Sequence, residues 1–416
     1  MSTVTFSSGP AQGISSTVLQ GSRSPGAGEE TCGQGWQPGL ELRPLPAQPL
    51  GAGFAPGSRG ACSPVPGPAT AEVSEQPANV LAMTASRGTR GRLDFAAAVP
   101  RSIIPAMEKR WDVLGFGVVS VDDLVYVDHY PPYGSKVQVK LRQRQGGGLA
   151  GTALVAAARL GARAGYCGVL GDDDLSHFTL EQFAHEGVDC SAALRRPGAR
   201  PTQSVVLVEL STAQRTIFFS REGVVQRPAE TIDDALIGAT RVLLIDHTNV
   251  AGGLVAAEAA QRHGIPVVSD IEDERAPGVD ALIARVDHLV ASTEFGRRVT
   301  GERDPVAMVR ALAGPERACC AITAGEQGVW YAEHGGAVRW QPALPVEVVD
   351  TTGCGDVFHG AYAASIARGD RVEQAIRVAA VTAALKATRL GGRAGIPSRE
   401  VVEQALDRLP PTSYQH

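Results

Sequence analysis

The chain has 416 residues, a formal net charge of −5, and 44% hydrophobic against 20% charged residues. That length suits one large domain or two small ones, and near-average apolar content reads as globular for most of the chain. The weak net charge speaks against a nucleic-acid partner, and no run of about 18 uncharged apolar residues marks a membrane span. Seven cysteines without Cys-x-x-Cys spacing form neither a disulfide framework nor a structural zinc site, so a reducing, cytoplasmic setting is expected.

Residues 1–106 hold 13 of the 27 prolines, with Gly, Ser and Ala filling much of the rest. No apolar period survives there for more than a few residues, so the segment has too little apolar surface to offset its ordering entropy. We read it as disordered, or as translated sequence upstream of the true start, which would then be Met83 or Met107. A basic stretch followed by an apolar one, the mark of a secretory signal, is missing at its start.

From Trp111 the pattern changes. Val113 to Val119 is a short apolar run that reads as a buried first strand, and Lys136 to Gln145 alternates as a half-exposed one. Thr152 to Leu160 is Ala-rich and helical, stopped by Gly161. Ala164 to Leu170 reads as another buried strand, followed by an amphipathic helix through His185. Ser204 to Leu210 and Arg215 to Phe219 flank a polar turn and predict a hairpin. Beyond it, apolar strands at Arg241 to Ile245, Ile265 to Ser269, His288 to Ala291 and Cys319 to Thr323 alternate with helical segments. That rhythm predicts an α/β fold: a doubly wound, mostly parallel sheet with helices on both faces. The half-polar strands near 134–146 and 202–220 break the rhythm and predict a small antiparallel sheet standing off it as a lid.

The strongest chemical signal is Val349-Asp350-Thr351-Thr352-Gly353-Cys354-Gly355-Asp356. It reads as a strand end, a tight glycine turn and a helix starting around Asp356. Backbone N–H groups from Gly353 to Asp356 would converge at the positive end of a helix, an anion hole suited to a transferring phosphate. Asp356 in the same turn can accept a hydroxyl proton. A plain strand-to-helix turn capped by Asp356 is the commoner meaning of an isolated Gly-x-Gly-Asp. Gly146-Gly147-Gly148 precedes the first helix and allows close approach of a ligand to backbone, or is an ordinary loop. Asp122, just past the first strand, can take hydrogen bonds from paired sugar hydroxyls, or is a solvated loop residue. Thr323-Ala324-Gly325-Glu326-Gln327-Gly328 follows a strand and either cradles a nucleotide or is a hairpin turn. All these loops follow predicted strand ends, where open α/β sheets bind ligands.

In combination these segments resemble the PfkB/ribokinase family of sugar and nucleoside kinases, over about residues 111 to 400. The Asp350 to Asp356 block matches one family signature, with Cys354 where Ala is usual. Gly147-Gly148-Leu149-Ala150-Gly151-Thr152-Ala153 matches the other, with Thr152 where Asn is usual. The resemblance implies a ribokinase-like kinase domain over 107–409, with ATP and Mg²⁺ as cofactors and a small sugar as substrate. It implies Asp356 as catalytic base, Gly353, Cys354 and Gly355 as anion hole, and Asp122, Gly147 and Gly148 as sugar contacts. Thr323, Gly325 and Gly328 would hold the nucleotide, and Asp350 and Thr352 a monovalent cation, K⁺. The family's Asn-x-x-Glu element falls at Ser292-Thr293-Glu294-Phe295, out of register, leaving Glu294 as a substitute toward Mg²⁺.

The block from Ala384 to Pro397 is similar to the bacterial sulfofructose kinase branch. Basic candidates for an anionic substrate group are Lys136, Lys140, Arg142, Arg215 and Arg221, with Asp246-His247-Thr248-Asn249 on the facing side. The expected function is ATP-dependent phosphorylation of a sugar hydroxymethyl group. A sulfofructose kinase, a nucleoside kinase and a non-catalytic sugar-binding protein are the alternatives. Two half-polar hairpins are marginal alone, so a homodimer through the lid is also expected.

Overall fold

Residues 108–415 are the part of the chain that this computed structural model describes. The expectations for residues 1–106 lie outside them. In chain order the strands are β1 (Trp111–Phe116), β2 (Ser120–Val127), β3 (Leu141–Gly147), β4 (Ala164–Tyr166), β5 (Val169–Leu170), β6 (Leu194–Arg195), β7 (Thr202–Glu209) and β8 (Gln214–Ser220). They continue with β9 (Thr240–Asp246), β10 (Val267–Asp270), β11 (His288–Ser292), β12 (Cys319–Thr323), β13 (Val329–Ala332), β14 (Arg339–Gln341) and β15 (Ser413–Tyr414).

Nine of them form one sheet in the order β15-β14-β13-β12-β11-β10-β9-β1-β4. From β4 to β12 every neighbouring pair is parallel, and β13 to β15 extend the sheet antiparallel. The apolar runs are continuous because both faces are covered. Val113, Val242, Leu244, Val268, Val290 and Ala321 enter one core, beneath the Leu149–Arg159, Cys354–Arg368 and Val372–Lys386 helices. Leu114, Leu243, Ile245, Val267, Leu289 and Ile322 enter the other, beneath the Val250–Arg262 and Pro305–Leu312 helices. Each such Val, Leu or Ile, fully buried, contributes roughly 1.5–3 kcal/mol. The Leu149–Arg159 and Cys354–Arg368 helices touch backbone to backbone, since a Cβ on Gly360 would collide with the Ala153 carbonyl. That contact fixes the two glycine turns that open these helices relative to each other.

The second sheet has the order β3-β2-β7-β8. Its outer pairs are antiparallel, but the central β2–β7 pair is parallel, so the lid is a mixed sheet and not the antiparallel one expected. Strand β2 goes unmarked in the sequence, because Asp122-Asp123 interrupts its apolar pattern. Both acids have partners across the sheet: Asp123 faces Arg144 in register and accepts two hydrogen bonds from its guanidinium, at 2.9 and 2.7 Å. Residues 136–140 precede the strand assigned to them, which runs on through Gly146 and Gly147 instead. The run from Ala164 to Leu170 divides into β4 and β5. No strand leads into the Gly353 turn; there Val349 and Asp350 instead hang from the Ala387 carbonyl by N–H bonds of 2.8 and 3.1 Å.

Candidate active site

Between the lid and the carboxyl ends of the parallel strands lies a cavity of about 730 Å³. Its walls include Asp122, Gly148, Glu294, Thr352, Gly353, Gly355 and Asp356, which lie in four separate segments of the sequence. Gly147, Asp350 and Cys354 are not in its wall but adjoin wall residues in sequence or by hydrogen bond. Thr323, Gly325 and Gly328 do not line it.

Asp122 reaches the cavity from β2. One of its oxygens accepts hydrogen bonds from Ser120 Oγ (2.7 Å) and Ser204 Oγ (2.6 Å). The glycine beside it has a steric reason: a Cβ on Gly147 would collide with the Asp122 carboxylate. Gly148 then caps the Leu149–Arg159 helix at φ 86°. Beneath this loop lies a residue the sequence reading gave no role, Arg393. It is buried, its Nη2 donates to the Gly147 carbonyl (2.8 Å) and its Nε to Thr152 Oγ1 (3.3 Å). Burial pulls its pKa down to about 10, against the pull of the Asp122 and Asp356 charges. The Gly391-Gly392-Arg393 run was the available signal, but nothing in it showed a contact with residues 147 and 152.

The Cys354–Arg368 helix opens at Gly353, with φ 75° and no side-chain cap. Asp356 is therefore three positions inside the helix and is not its N-cap. The Cys354 N–H donates to the Thr351 carbonyl (3.2 Å). Those of Gly353, Gly355 and Asp356 have no acceptor among the described residues, so of the expected Gly353, Cys354 and Gly355 set only the Cys354 N–H is taken. They face the cavity at the positive helix end, where an anion is stabilised. Burial raises the Asp356 pKa well above the ordinary carboxylate range, and the Asp270 and Glu272 charges push it the same way. A carboxylate in this state binds a proton readily, which is what a general base needs.

Asp350 is fully buried and both its carboxylate oxygens are hydrogen-bonded: one accepts from the Thr352 N–H (2.8 Å), the other from the Gly391 N–H (2.8 Å) and Tyr126 Oη (3.2 Å). Its carbonyl accepts from Lys386 Nζ at 2.8 Å. Burial alone would raise the Asp350 pKa, but the Lys386 charge and these hydrogen bonds hold it below the usual range. Glu294 lines the cavity, yet its carboxylate pairs with Arg298 at 2.8 Å. Glu272, at the same end, has no side-chain partner among the described residues.

The Thr323 to Gly328 loop is the turn of the antiparallel β12–β13 pair, closed by an Ala324 N–H to Gly328 carbonyl bond of 2.9 Å. Thr323 pairs in register with Ser292, so the loop continues the strand edge that carries Glu294. Of the basic lid candidates, Arg215 and Arg221 line the cavity. Lys140 pairs with Asp128 (2.8 Å), Arg142 lies 3.9 Å from Asp123, and Lys136 is exposed away from it. Across the cavity, His247 and Thr248 contribute walls. Asp246 instead holds the Val118 N–H (2.6 Å) and Thr248, and Asn249 caps the following helix.

The family model for the pfkB family carbohydrate kinases matches residues 116–399. Ribokinase of Haemophilus influenzae is 24% identical over 310 residues, covering 72% of this chain and 99% of that protein. The structure of Arabidopsis thaliana ribokinase complexed with ribose and ATP superposes with a TM-score of 0.61 at 21% identity, covering 71% of this chain and 98% of that one. Adenosine kinase from Sinorhizobium meliloti gives 0.63 at 20% identity, covering 71% and 99%. At these identities the structural likeness shows the fold, which sugar and nucleoside kinases share. No helix among the described residues is long and apolar enough to cross a membrane.

Proposed function

The chain belongs to the pfkB family of carbohydrate kinases, and on that premise we propose that it moves the γ-phosphoryl group of ATP to a hydroxymethyl oxygen of a sugar held between Asp122 and Asp356. The observation that carries this reading is one cavity walled by Asp122, Asp356 and the helix-opening residues Gly353 and Gly355, with the Gly353, Gly355 and Asp356 N–H groups lacking acceptors among the described residues. Asp122 accepts hydrogen bonds from sugar hydroxyls on one side. Asp356 takes the proton of the attacking hydroxymethyl group as its oxygen bonds to the γ-phosphorus, while the bond to the β–γ bridging oxygen breaks and ADP leaves. The helix N-terminus stabilises charge on the phosphoryl oxygens. Mg²⁺, when bound, neutralises phosphate charge; Glu272 is the side chain best free to hold it together with the nucleotide phosphates, since Glu294 is paired with Arg298. The Thr323 to Gly328 turn, next along the strand edge, is the proposed nucleotide contact.

A second reading, a sugar with an anionic substituent such as a sulfosugar, is favoured by Arg215 and Arg221 in the cavity wall. ADP release from ATP across neutral sugars, sulfofructose and nucleosides separates these cases. Stimulation by a sugar, with a matching sugar phosphate, is expected; stimulation by nucleosides alone, or by nothing, overturns the reading. We also propose a homodimer through the lid in a reducing, cytoplasmic setting. Val205 and Phe218 pair in register on the outer lid face and are 43% and 55% exposed, an apolar surface that a second copy would cover. Sedimentation at micromolar concentration should give twice the chain mass, and a monomer with and without substrate would refute it.

A further inference from the structure

The resemblance to ribokinases carries with it a monovalent cation beside Asp350 and Thr352, and the residues present do not fit one. A cation there would draw on the oxygens of Asp350. Both carboxylate oxygens already accept hydrogen bonds, from Thr352, Gly391 and Tyr126, and the carbonyl oxygen accepts one from the Lys386 ammonium, whose charge repels a second cation beside it. What is left of the expected pair is Thr352, whose buried hydroxyl and whose carbonyl have no partner among the described residues. Two neutral oxygens beside an ammonium are no substitute for the several ligands that a desolvated cation requires.

We propose that the Lys386 ammonium is a built-in replacement for the monovalent cation, so that phosphoryl transfer by this chain does not depend on K⁺. Lys386 is the last residue of the Val372–Lys386 helix, where a positive charge is favoured by the helix dipole, and it is fully buried. Its ammonium lies 2.8 Å from the Asp350 carbonyl, at the foot of the turn that presents Gly355 and Asp356 to the cavity. It thus does two things asked of a bound cation: it pins the backbone of the turn, and it places a positive charge behind the anion site. Burial lowers the pKa of this lysine, and the charges of Cys354, Asp350 and Asp356 counter that pull. The sequence hid this role, because a lone lysine in the Ala-rich Ala384 to Ala387 stretch looks like an ordinary surface position.

The inference rests on the kinase reading for its activity arm only, so the test has a second arm that needs no acceptor. With the full chain, ATP, Mg²⁺ and an accepted sugar, rates are compared in KCl, NaCl and choline chloride at equal ionic strength. Melting temperatures are compared in the same salts without sugar. For the native chain both quantities should be insensitive to the salt, rates agreeing within about twofold. A loss of about tenfold or more without K⁺, equivalent to about 1.4 kcal/mol, or a melting temperature raised by KCl alone, overturns the proposal. Lys386→Ala, which opens the ammonium's place, should lose about tenfold or more in choline chloride and regain rate and melting temperature selectively with KCl or ammonium chloride. A folded Lys386→Ala chain as active in choline as the native one also overturns it. Should that variant not fold, the native chain alone decides through its salt dependence. Absence of any accepted sugar would count against the proposed function while the melting arm still decides the role of Lys386.

Discussion

Asp356→Asn is expected to lower kcat by about 10²–10⁴-fold, the range usual for loss of a general base, while leaving KM for ATP within about threefold. The amide keeps the size of the side chain and one accepting oxygen but cannot take the proton. ATP meets backbone N–H groups at this helix end and not the carboxylate, so the loss belongs in the chemical step. The same substitution should stabilise the fold. Because burial and the Asp270 and Glu272 charges raise the folded-state pKa of Asp356, its ionised form opposes folding. That cost is absent below the unfolded value of about 3.9 and grows as pH rises toward the folded value, so at neutral pH the neutral amide removes it. A gain of about 1 kcal/mol would raise the melting temperature by about 2–4 °C. In the native enzyme the acid limb of kcat/KM should correspondingly lie above the ordinary carboxylate range. Retention of more than about a tenth of kcat would show that the base lies elsewhere in the cavity.

Asp122→Ala should act on the other substrate. Charge-assisted hydrogen bonds contribute about 1.5–3 kcal/mol, which corresponds to an increase of about 10–100-fold in KM for the sugar. The ATP parameters should hold, because Asp122 reaches the cavity from the lid strand β2, across from the Gly353 turn. Part of the cost comes from Ser120 and Ser204, whose hydroxyls both donate to this carboxylate and lose their acceptor. Steady-state kinetics with each substrate varied in turn reads the split directly. An unchanged sugar KM would remove Asp122 from the acceptor site.

The parallel sheet was legible because its strands are buried on both faces and read as apolar runs; Cys319 to Thr323 matched to the residue. Strand β2 was hidden by its two adjacent acids, whose partners Ser204 and Arg144 lie on other strands. Gly147, Gly148 and Gly353 were legible since close packing and a tight turn admit few residue types there. Lys386 and Arg393 were not: each satisfies backbone carbonyls far away in sequence, Asp350 and Gly147, and a basic side chain carries no local sign of such a partner. The pairing of Glu294 has the same origin, since Arg298 one helical turn on shares its carboxylate. Spacing shows which residues can share a face, whereas the tertiary partner decides whether a charge is free.

A crystal structure of the chain with its sugar and a non-hydrolysable ATP analogue tests the central claim most directly. The account predicts the sugar inside the cavity, with one hydroxymethyl oxygen within hydrogen-bond distance of the Asp356 carboxylate and other hydroxyls on Asp122. The γ-phosphate should lie against the N–H groups of Gly355 and Asp356. A sugar bound outside this cavity, or a γ-phosphate away from the Gly353 turn, would contradict it.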